Sequence, residues 1–248
     1  MNGISPLELT LVAGIFFAGA SVQGTLGFGF GMICMATLPF FMDFKFAVPL
    51  VSIFSLTAHI VMVYGLRKYV RVNRFLPLVA GGLVGVPLGV SFLRHADLSS
   101  LKLTLGLVIV AYVVWSFLPK NKGVRDPGRI WAVIAGVIGG VLGGAMNSSG
   151  PPAVIYLTQK PWGKDSIKAT LQTFFICMSI TQLSLLAEAG ILTLEVVQTN
   201  LLFAPCIFLG VWAGIWGSRR VNHELFRKMV LCALFVLGLV FIANGVAG

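Results

Sequence analysis

The sequence predicts an all-α polytopic membrane protein that forms one transmembrane domain over residues 1–248. Of its 248 residues, 57% are hydrophobic and 10% are charged, whereas soluble domains carry about 25% charged residues. The charges are confined to short stretches between uncharged runs, most of which have about the length that crosses a bilayer as a helix. The eight uncharged runs cover residues 9–42, 46–66, 75–93, 103–119, 130–159, 169–187, 196–218 and 229–248.

Two of the runs, residues 9–42 and 130–159, are too long for single crossings, at 34 and 30 residues. Glycine or proline breaks each of them, and three runs of ordinary length follow each one. Glycines spaced four apart also recur at an offset of 125 residues, at Gly85 and Gly89 and at Gly210 and Gly214. We interpret these pairs as helix-packing positions. The matched order predicts an internal duplication, with repeats over about residues 7–118 and 130–246.

The distribution of positive charge predicts how the long runs lie in the membrane. Fifteen of the eighteen Lys and Arg residues fall in four loops, residues 65–74, 119–129, 160–168 and 218–228. If each long run crossed once, the two sides would carry eight and ten basic residues, which shows no positive-inside bias. If each is a hairpin that returns to its starting side, the count is fifteen against three. We therefore predict that each half consists of a broken hairpin followed by three crossings, and that the second half is inverted relative to the first. The protein would lie in the cytoplasmic membrane with both termini on the outer side.

The break in the second long run contains residues that begin helices. Asn147, Ser148 and Ser149 precede Pro151 and Pro152; Asn and Ser are good N-caps, and Pro is favoured at the first helical position. We therefore predict that a half-helix starts near Pro151 and aims its N-terminus at the middle of the bilayer. Broken helices at matched positions of inverted repeats are typical of transporter binding sites.

The first break is rich in glycine, which lets backbone N–H groups approach a ligand closely. Two facing helix N-termini make a positive, donor-rich cavity that suits oxyanions. The breaks and the polar residues beside them therefore predict a site for a small anion. The predicted binding residues are Gln23, Gly24, Thr25, Gly27, Gly29, Gly31, Asn147, Ser148, Ser149, Gly150, Gln172 and Thr173.

A histidine on the helix after the first hairpin is a candidate for coupling. His59 shares one face with Ser52 and Ser55 by helical spacing, and Ser179 lies on the corresponding helix of the second half. A histidine titrates near neutral pH, so His59 is a candidate to carry a proton with the anion. The alternative is a neutral histidine bonded to the backbone in a packed interface.

The sequence lacks several features that other classes of function require. All eight acidic residues lie outside them, so neither a carboxylate relay nor a cation site is expected in the membrane. The four cysteines have no CxxC spacing, and we expect no metal, cofactor or disulfide. The formal charge of +10 is interpreted as a topology signal rather than as nucleic-acid binding. No common hydrolase or nucleotide motif is found, which leaves an intramembrane enzyme or an assembly factor as weaker alternatives.

The residues at the first break carry a family resemblance. Gln23-Gly24-Thr-Leu-Gly27-Phe-Gly29-Phe-Gly31, ending at Pro39, together with a second glycine-proline break and two halves, resembles the TauE/SafE sulfite exporter family over nearly the whole chain. The resemblance implies a secondary transporter that exports sulfite, an organosulfonate or a related sulfur anion. An anion channel and an uptake permease remain as alternatives, and the residues leave the coupling ion and the oligomeric state open.

Overall fold

Ten α-helices and two short 3-10 turns account for nearly all of the described chain in this computed structural model, which describes residues 6–118, 127–217 and 223–247. The helices are α1 (Pro6–Leu26), α2 (Phe30–Thr37), α3 (Phe44–Leu66), α4 (Val72–His95), α5 (Leu98–Phe117), α6 (Arg129–Met146), α7 (Gly150–Leu157), α8 (Lys164–Glu188), α9 (Leu194–Gly217) and α10 (His223–Ala247). The 3-10 turns are Leu38–Phe40 and Arg67–Tyr69. Eight of the described helices are long and apolar enough to cross a membrane. The predicted all-α, multi-pass architecture is confirmed.

Both predicted breaks are present, but the arms of each broken segment are unequal. Helix α1 ends at Leu26 and α2 begins at Phe30, and α6 ends at Met146 and α7 begins at Gly150. The first arms have 21 and 18 residues, and each second arm has 8. At 1.5 Å per residue, a first arm is about as long as the hydrocarbon core is thick, whereas a second arm spans about 12 Å.

Aspartates at two turns explain why the helices after them begin where they do. Asp43 accepts hydrogen bonds from the backbone amides of Lys45 and Phe46 and so caps α3. Asp97 caps α5 in the same way, with bonds from the Ser100 amide at 3.0 Å and the Ser100 hydroxyl at 2.7 Å. The Ser100 bonds hold the pKa of Asp97 below its ordinary value. Both caps satisfy amides that a helix start leaves without partners.

The helices of the two halves pack in matched pairs. Helix α1 packs on α9 and α4 on α6, while α3 packs on α8 and α5 on α10. The glycine pairs lie at the first two contacts, as predicted: a side-chain carbon at Gly85 would overlap the Val137 carbonyl, and one at Gly210 would lie 2.6 Å from the Phe17 carbonyl. Small residues thus let backbones touch. In the two halves α1 corresponds to α6 and α9 corresponds to α4, so the contact of α1 with α9 is equivalent to that of α6 with α4.

In the other two pairs, α3 with α8 and α5 with α10, equivalent helices of the two halves pack against each other and run antiparallel. His59 contacts Gln172 and Ser52 contacts Gln182, so α3 and α8 run in opposite directions. In α5 and α10, Gly245 lies against Leu103 whereas Gly238 lies against Ile109. Equivalent helices that run antiparallel are what an inverted duplication requires, and that relationship stays a prediction.

Contacts between loops bring much of the positive charge to one end of the bundle. The Arg74 guanidinium lies over the Trp162 ring at 4.7 Å, and Lys160 Nζ donates a hydrogen bond to the Pro127 carbonyl. At the other end, Lys45 Nζ donates to the Arg94 carbonyl at 3.0 Å. These contacts agree with the hairpin arrangement, in which the loops on either side of residues 130–159 share one side. The side that faces the cytoplasm stays a prediction.

Single cysteines test this topology. In a background without the four native cysteines, Lys68→Cys and Lys164→Cys are expected to react only with membrane-permeant maleimides, and Glu188→Cys with impermeant ones as well. All three side chains are exposed, so access depends on the side of the membrane. Labelling of Lys68→Cys and Lys164→Cys from opposite sides would mean that the second long run crosses once.

Candidate functional site

A small polar cavity lies where the two breaks meet α3 and α8. Its volume is about 40 Å³, which is room for about three water molecules or a small oxyanion, since one water needs roughly 10–15 Å³. The lining residues are Gln23, Phe28, Gly29, Gly31, Met32, Ser55, His59, Asn147, Ser149, Gly150, Phe175, Met178, Ser179 and Gln182. Both breaks and both facing helices therefore contribute to one small space.

A network of two glutamines and a histidine holds the first break. Gln23 Oε1 accepts from the Phe30 amide at 3.3 Å, and Gln172 Nε2 donates to the Gly27 carbonyl. The other ends of both amides meet His59: its Nδ1 lies 2.6 Å from Gln172 Oε1 and 3.0 Å from Gln23 Nε2. Nδ1 cannot both donate to Gln172 Oε1 and accept from Gln23 Nε2. The shorter contact is that of an N–H with a carbonyl oxygen, so we assign the proton to Nδ1, which leaves Nε2 as an acceptor and Gln23 Nε2 beside the ring without a hydrogen bond to it.

The second break is held through the side chain of its first residue. Asn147 Nδ2 donates to the Val48 carbonyl at 2.9 Å, and Ser52 Oγ lies 2.8 Å from Asn147 Oδ1. Gln182 Nε2 supports the end of α6 by donating to the Gly143 carbonyl at 2.9 Å. Asn147 has a left-handed backbone with φ of 54° and ends α6, whereas the sequence suggested that it caps α7. Ser149 stands before α7, but its side chain makes no capping bond.

The two breaks are held at equivalent positions. Gly27, with φ of +86°, and Asn147 are the left-handed residues that follow α1 and α6. Gln172 contacts Gly27, and Ser52 contacts Asn147. Gln172 is the ninth residue of α8, and Ser52 is the ninth residue of α3. Each half therefore holds the break of the other half from the same helical position.

Three serines of the cavity wall, each largely buried as a residue, make no side-chain hydrogen bond to any described residue. Ser55, Ser149 and Ser179 are 6%, 9% and 7% exposed, and each lines the cavity. A serine in a membrane helix commonly bonds the carbonyl four residues earlier, as Ser184 on α8 and Thr57 on α3 do here. The three cavity serines are thus donors with no protein acceptor, contributed by α3, the second break and α8.

The half-helices supply amide donors unequally. In α2, the Phe30 amide is taken by Gln23, while Gly31 and Met32, which both line the cavity, have amides with no acceptor among the described residues. In α7, the second and third residues are Pro151 and Pro152, which have no N–H. The two half-helices therefore present different sets of amides at their N-termini, and the expected pair of donor-rich N-termini stays a prediction.

The predicted site residues divide into those that line the cavity and those that lie behind its wall. Lining residues are Gln23, Gly29, Gly31, His59, Asn147, Ser149 and Gly150. Those that do not line it are Gly24, Thr25, Gly27, Ser148, Gln172 and Thr173. Gly27 and Gln172 support the first break from behind it.

The other four predicted residues are used in local structure or packing. Gly24 packs on the α9 backbone, and Thr25 donates to the Ser21 or Gly214 carbonyl. Ser148 and Thr173 bond carbonyls two and four residues earlier. Gln182 was missed, although its spacing from Ser179 and Gln172 places it on the same face of α8.

A larger space lies between α5, α6 and α7, with a volume of about 960 Å³. Its lining is mainly apolar and includes Val108, Trp131, Ile138 and Ile155, of which Trp131 and Ile138 are 59% and 48% exposed. It is open along the flank of the helices, where lipid tails would lie. A charged solute would be poorly solvated there, so the candidate site is the smaller cavity.

The fold and the cavity define a multi-pass membrane protein with a buried polar site between broken helices, the organisation of a solute transporter. Residues 11–241 match the sequence profile of the family described as "Sulfite exporter TauE/SafE", and the chain belongs to that family. The family is one of membrane transporters of sulfur anions rather than of enzymes. Neither the curated proteins nor the solved structures include a match to this chain.

Proposed function

We propose that this protein is a secondary transporter that exports a small sulfur oxyanion, with sulfite as its simplest substrate, across the cytoplasmic membrane. The observation that carries the proposal is the convergence on one cavity of three largely buried serines whose hydroxyls have no partner among the described residues. Hydroxyl donors with no protein acceptor are arranged to bind an acceptor-rich guest, and an oxyanion is such a guest. The direction of export rests on the family.

The size of the cavity supports sulfite over a larger organosulfonate. The space of about 40 Å³ is lined in part by the large side chains of Phe28, Phe175 and Met178, and it accepts a few heavy atoms without a carbon tail. No carboxylate lines it among the described residues, so an anion meets no like charge. The amides of Gly31 and Met32 add donors at the start of α2.

An inverted duplication supports transport by alternating access. The matched helix pairs, the antiparallel contacts of α3 with α8 and of α5 with α10, and the equivalent supports of the two breaks favour two related halves. Halves related in this way reach mirror-like states by rocking about a central site. A carrier of this kind shows counterflow exchange, and a channel does not.

Serine substitutions test the site. In proteoliposomes that contain the purified protein, Ser55→Ala, Ser149→Ala and Ser179→Ala are each expected to raise the KM for sulfite about tenfold or more, since a hydrogen bond to a charged group contributes about 1.5–3 kcal/mol. The matched controls are Thr57→Val on α3 and Ser184→Ala on α8, whose hydroxyls bond their own helix. Equal KM values in all five variants would place the substrate elsewhere. Absence of sulfite flux in the unmodified protein would overturn the proposed function itself.

A further inference from the structure

We propose that the cavity selects the singly charged form of a pyramidal oxyanion, so that the proton of hydrogen sulfite crosses on the substrate and not on a side chain. The inference rests on the proposed function and adds the charge state of the transported species. Its basis is the neutrality of the cavity wall, together with the mixture of donors and acceptors in that wall.

The charges nearest the cavity all stand outside its wall. No Lys, Arg, Asp or Glu is among the described residues that line it, and His59 is the one titratable side chain there. Lys168 of α8 lies behind the first break, where its carbon chain is 3.6 Å from the position of a side-chain carbon at Gly27. Arg227 of α10 lies behind Phe28 and donates to the Ser116 carbonyl at 3.2 Å.

Two further titratable side chains of the surrounding helices, those of Tyr112 and Cys34, also lie outside the wall. The Tyr112 ring of α5 packs edge-on against Phe28, with 6.2 Å between ring centroids. Cys34 of α2 lies against Gly19 of α1. Neither residue lines the cavity. The substrate is therefore surrounded at close range by hydroxyls, amides, aromatic rings and the His59 imidazole.

A neutral wall discriminates strongly by charge. The cost of moving an ion out of water grows with the square of its charge, so a dianion costs about four times as much as a monoanion of the same size. Each hydroxyl or amide donor that bonds to an anion recovers only a small part of that cost. No lysine or arginine lies in the described part of the wall to offset the second charge. The cavity thus favours a monoanion over sulfite or sulfate dianions.

The wall also fits a guest that carries one O–H group. With the proton of His59 on Nδ1, where it is donated to Gln172 Oε1, the other ring nitrogen is an acceptor. The oxygens of Ser55, Ser149 and Ser179 accept as readily as they donate. A fully deprotonated oxyanion makes use of donors alone, whereas hydrogen sulfite makes use of both kinds of group.

Flux measurements over a range of pH, equal on both sides of the proteoliposome membrane, test the inference. Sulfite flux, corrected for leak through protein-free vesicles, is expected to follow the hydrogen sulfite fraction and to fall about tenfold per pH unit once the dianion dominates. Methanesulfinate, a pyramidal monoanion over the whole range, is expected to compete with sulfite for transport with an inhibition constant that does not change with pH. Sulfate, a dianion throughout, is expected not to compete.

Substitution of His59 separates this inference from proton transfer through the protein. His59→Gln is expected to lower the flux but to keep the shape of its pH profile. If the profile flattens in His59→Gln and methanesulfinate competes better at low pH in the unmodified protein, the proton is carried by His59 and the inference is wrong. Competition by sulfate equal to that of methanesulfinate also overturns it. In both cases sulfite flux persists and the proposed function stands.

Discussion

Replacement of Gly150 by leucine is expected to abolish sulfite flux without unfolding the protein. A side-chain carbon at Gly150 would lie 3.6 Å from a Phe28 ring carbon and 4.0 Å from Phe175, which are ordinary contacts. The backbone of Gly150 is helical, so no conformational strain is added. The rest of the leucine side chain must then enter a cavity of about 40 Å³ and displace the substrate.

A matched substitution outside the site controls for the added bulk. A side-chain carbon at Gly14 of α1 would meet no described atom within 4 Å, and Gly14→Leu is expected to keep both flux and thermal stability. The measurement is sulfite flux in proteoliposomes, together with the unfolding midpoint in detergent. A well-folded Gly150→Leu protein with the KM of the unmodified protein would show that the substrate does not occupy this cavity. Gly29 is a less suitable position, because its φ of +107° would add backbone strain to any substitution.

The overall fold could be predicted because lipid imposes simple constraints. Uncharged runs, charged turns and a glycine-proline break each have one main explanation in a membrane. The positions of the breaks could be predicted from the glycine and proline residues, and they agree with the ends of α1 at Leu26 and of α6 at Met146. The unequal arms did not follow, because apolar residues continue on both sides of each break and hydropathy alone does not show where a helix reaches the surface.

The candidate site could be predicted only in part, because its residues differ in the direction of their side chains and not in type. Thr25 and Ser55 are both hydroxyl residues in apolar helices. Thr25 lies 2.8 Å from the Ser21 carbonyl of its own helix and 3.1 Å from the Gly214 carbonyl, which is 189 residues away, whereas Ser55 faces the cavity. Likewise Gly24 packs on α9 and Gly29 lines the cavity. Contacts between the halves decide these outcomes, and the local sequence does not contain them.

The shared face of α3 shows where sequence periodicity succeeds. Ser52, Ser55 and His59 are all buried. Ser52 holds the second break, Ser55 lines the cavity, and His59 supports the first break through Gln172. The same spacing on α8 joins Gln172 and Ser179 and would have added Gln182. Helical periodicity therefore identified the correct faces, while the role of each residue came from its partners.

Replacement of Gly31 by alanine is expected to have the largest effect on stability among single-methyl additions at the breaks. A side-chain carbon at Gly31 would overlap the backbone carbonyl oxygen of Asn147 and lie 3.1 Å from the Asn147 Cβ. Asn147 has little freedom to withdraw, because its side chain is bonded to Val48 and Ser52. The two breaks must then separate, and overpacking of this kind costs about 1–3 kcal/mol or more when backbone has to move.

Alanine at Gly14 is expected to change the stability in the opposite direction, and it therefore serves as the matched control. Gly14→Ala adds a methyl group inside α1 in open space, and glycine in a helix is less stable than alanine by roughly 0.5–1 kcal/mol. We expect the unfolding midpoint in detergent to fall by roughly 5–10 °C in Gly31→Ala and to rise slightly in Gly14→Ala. Sulfite flux should also drop towards background in Gly31→Ala, because Gly31 and Asn147 both line the cavity that the separation would distort. An unchanged midpoint and unchanged flux in Gly31→Ala would mean that the two breaks do not touch at this point, and the site would then have to be built from one break alone.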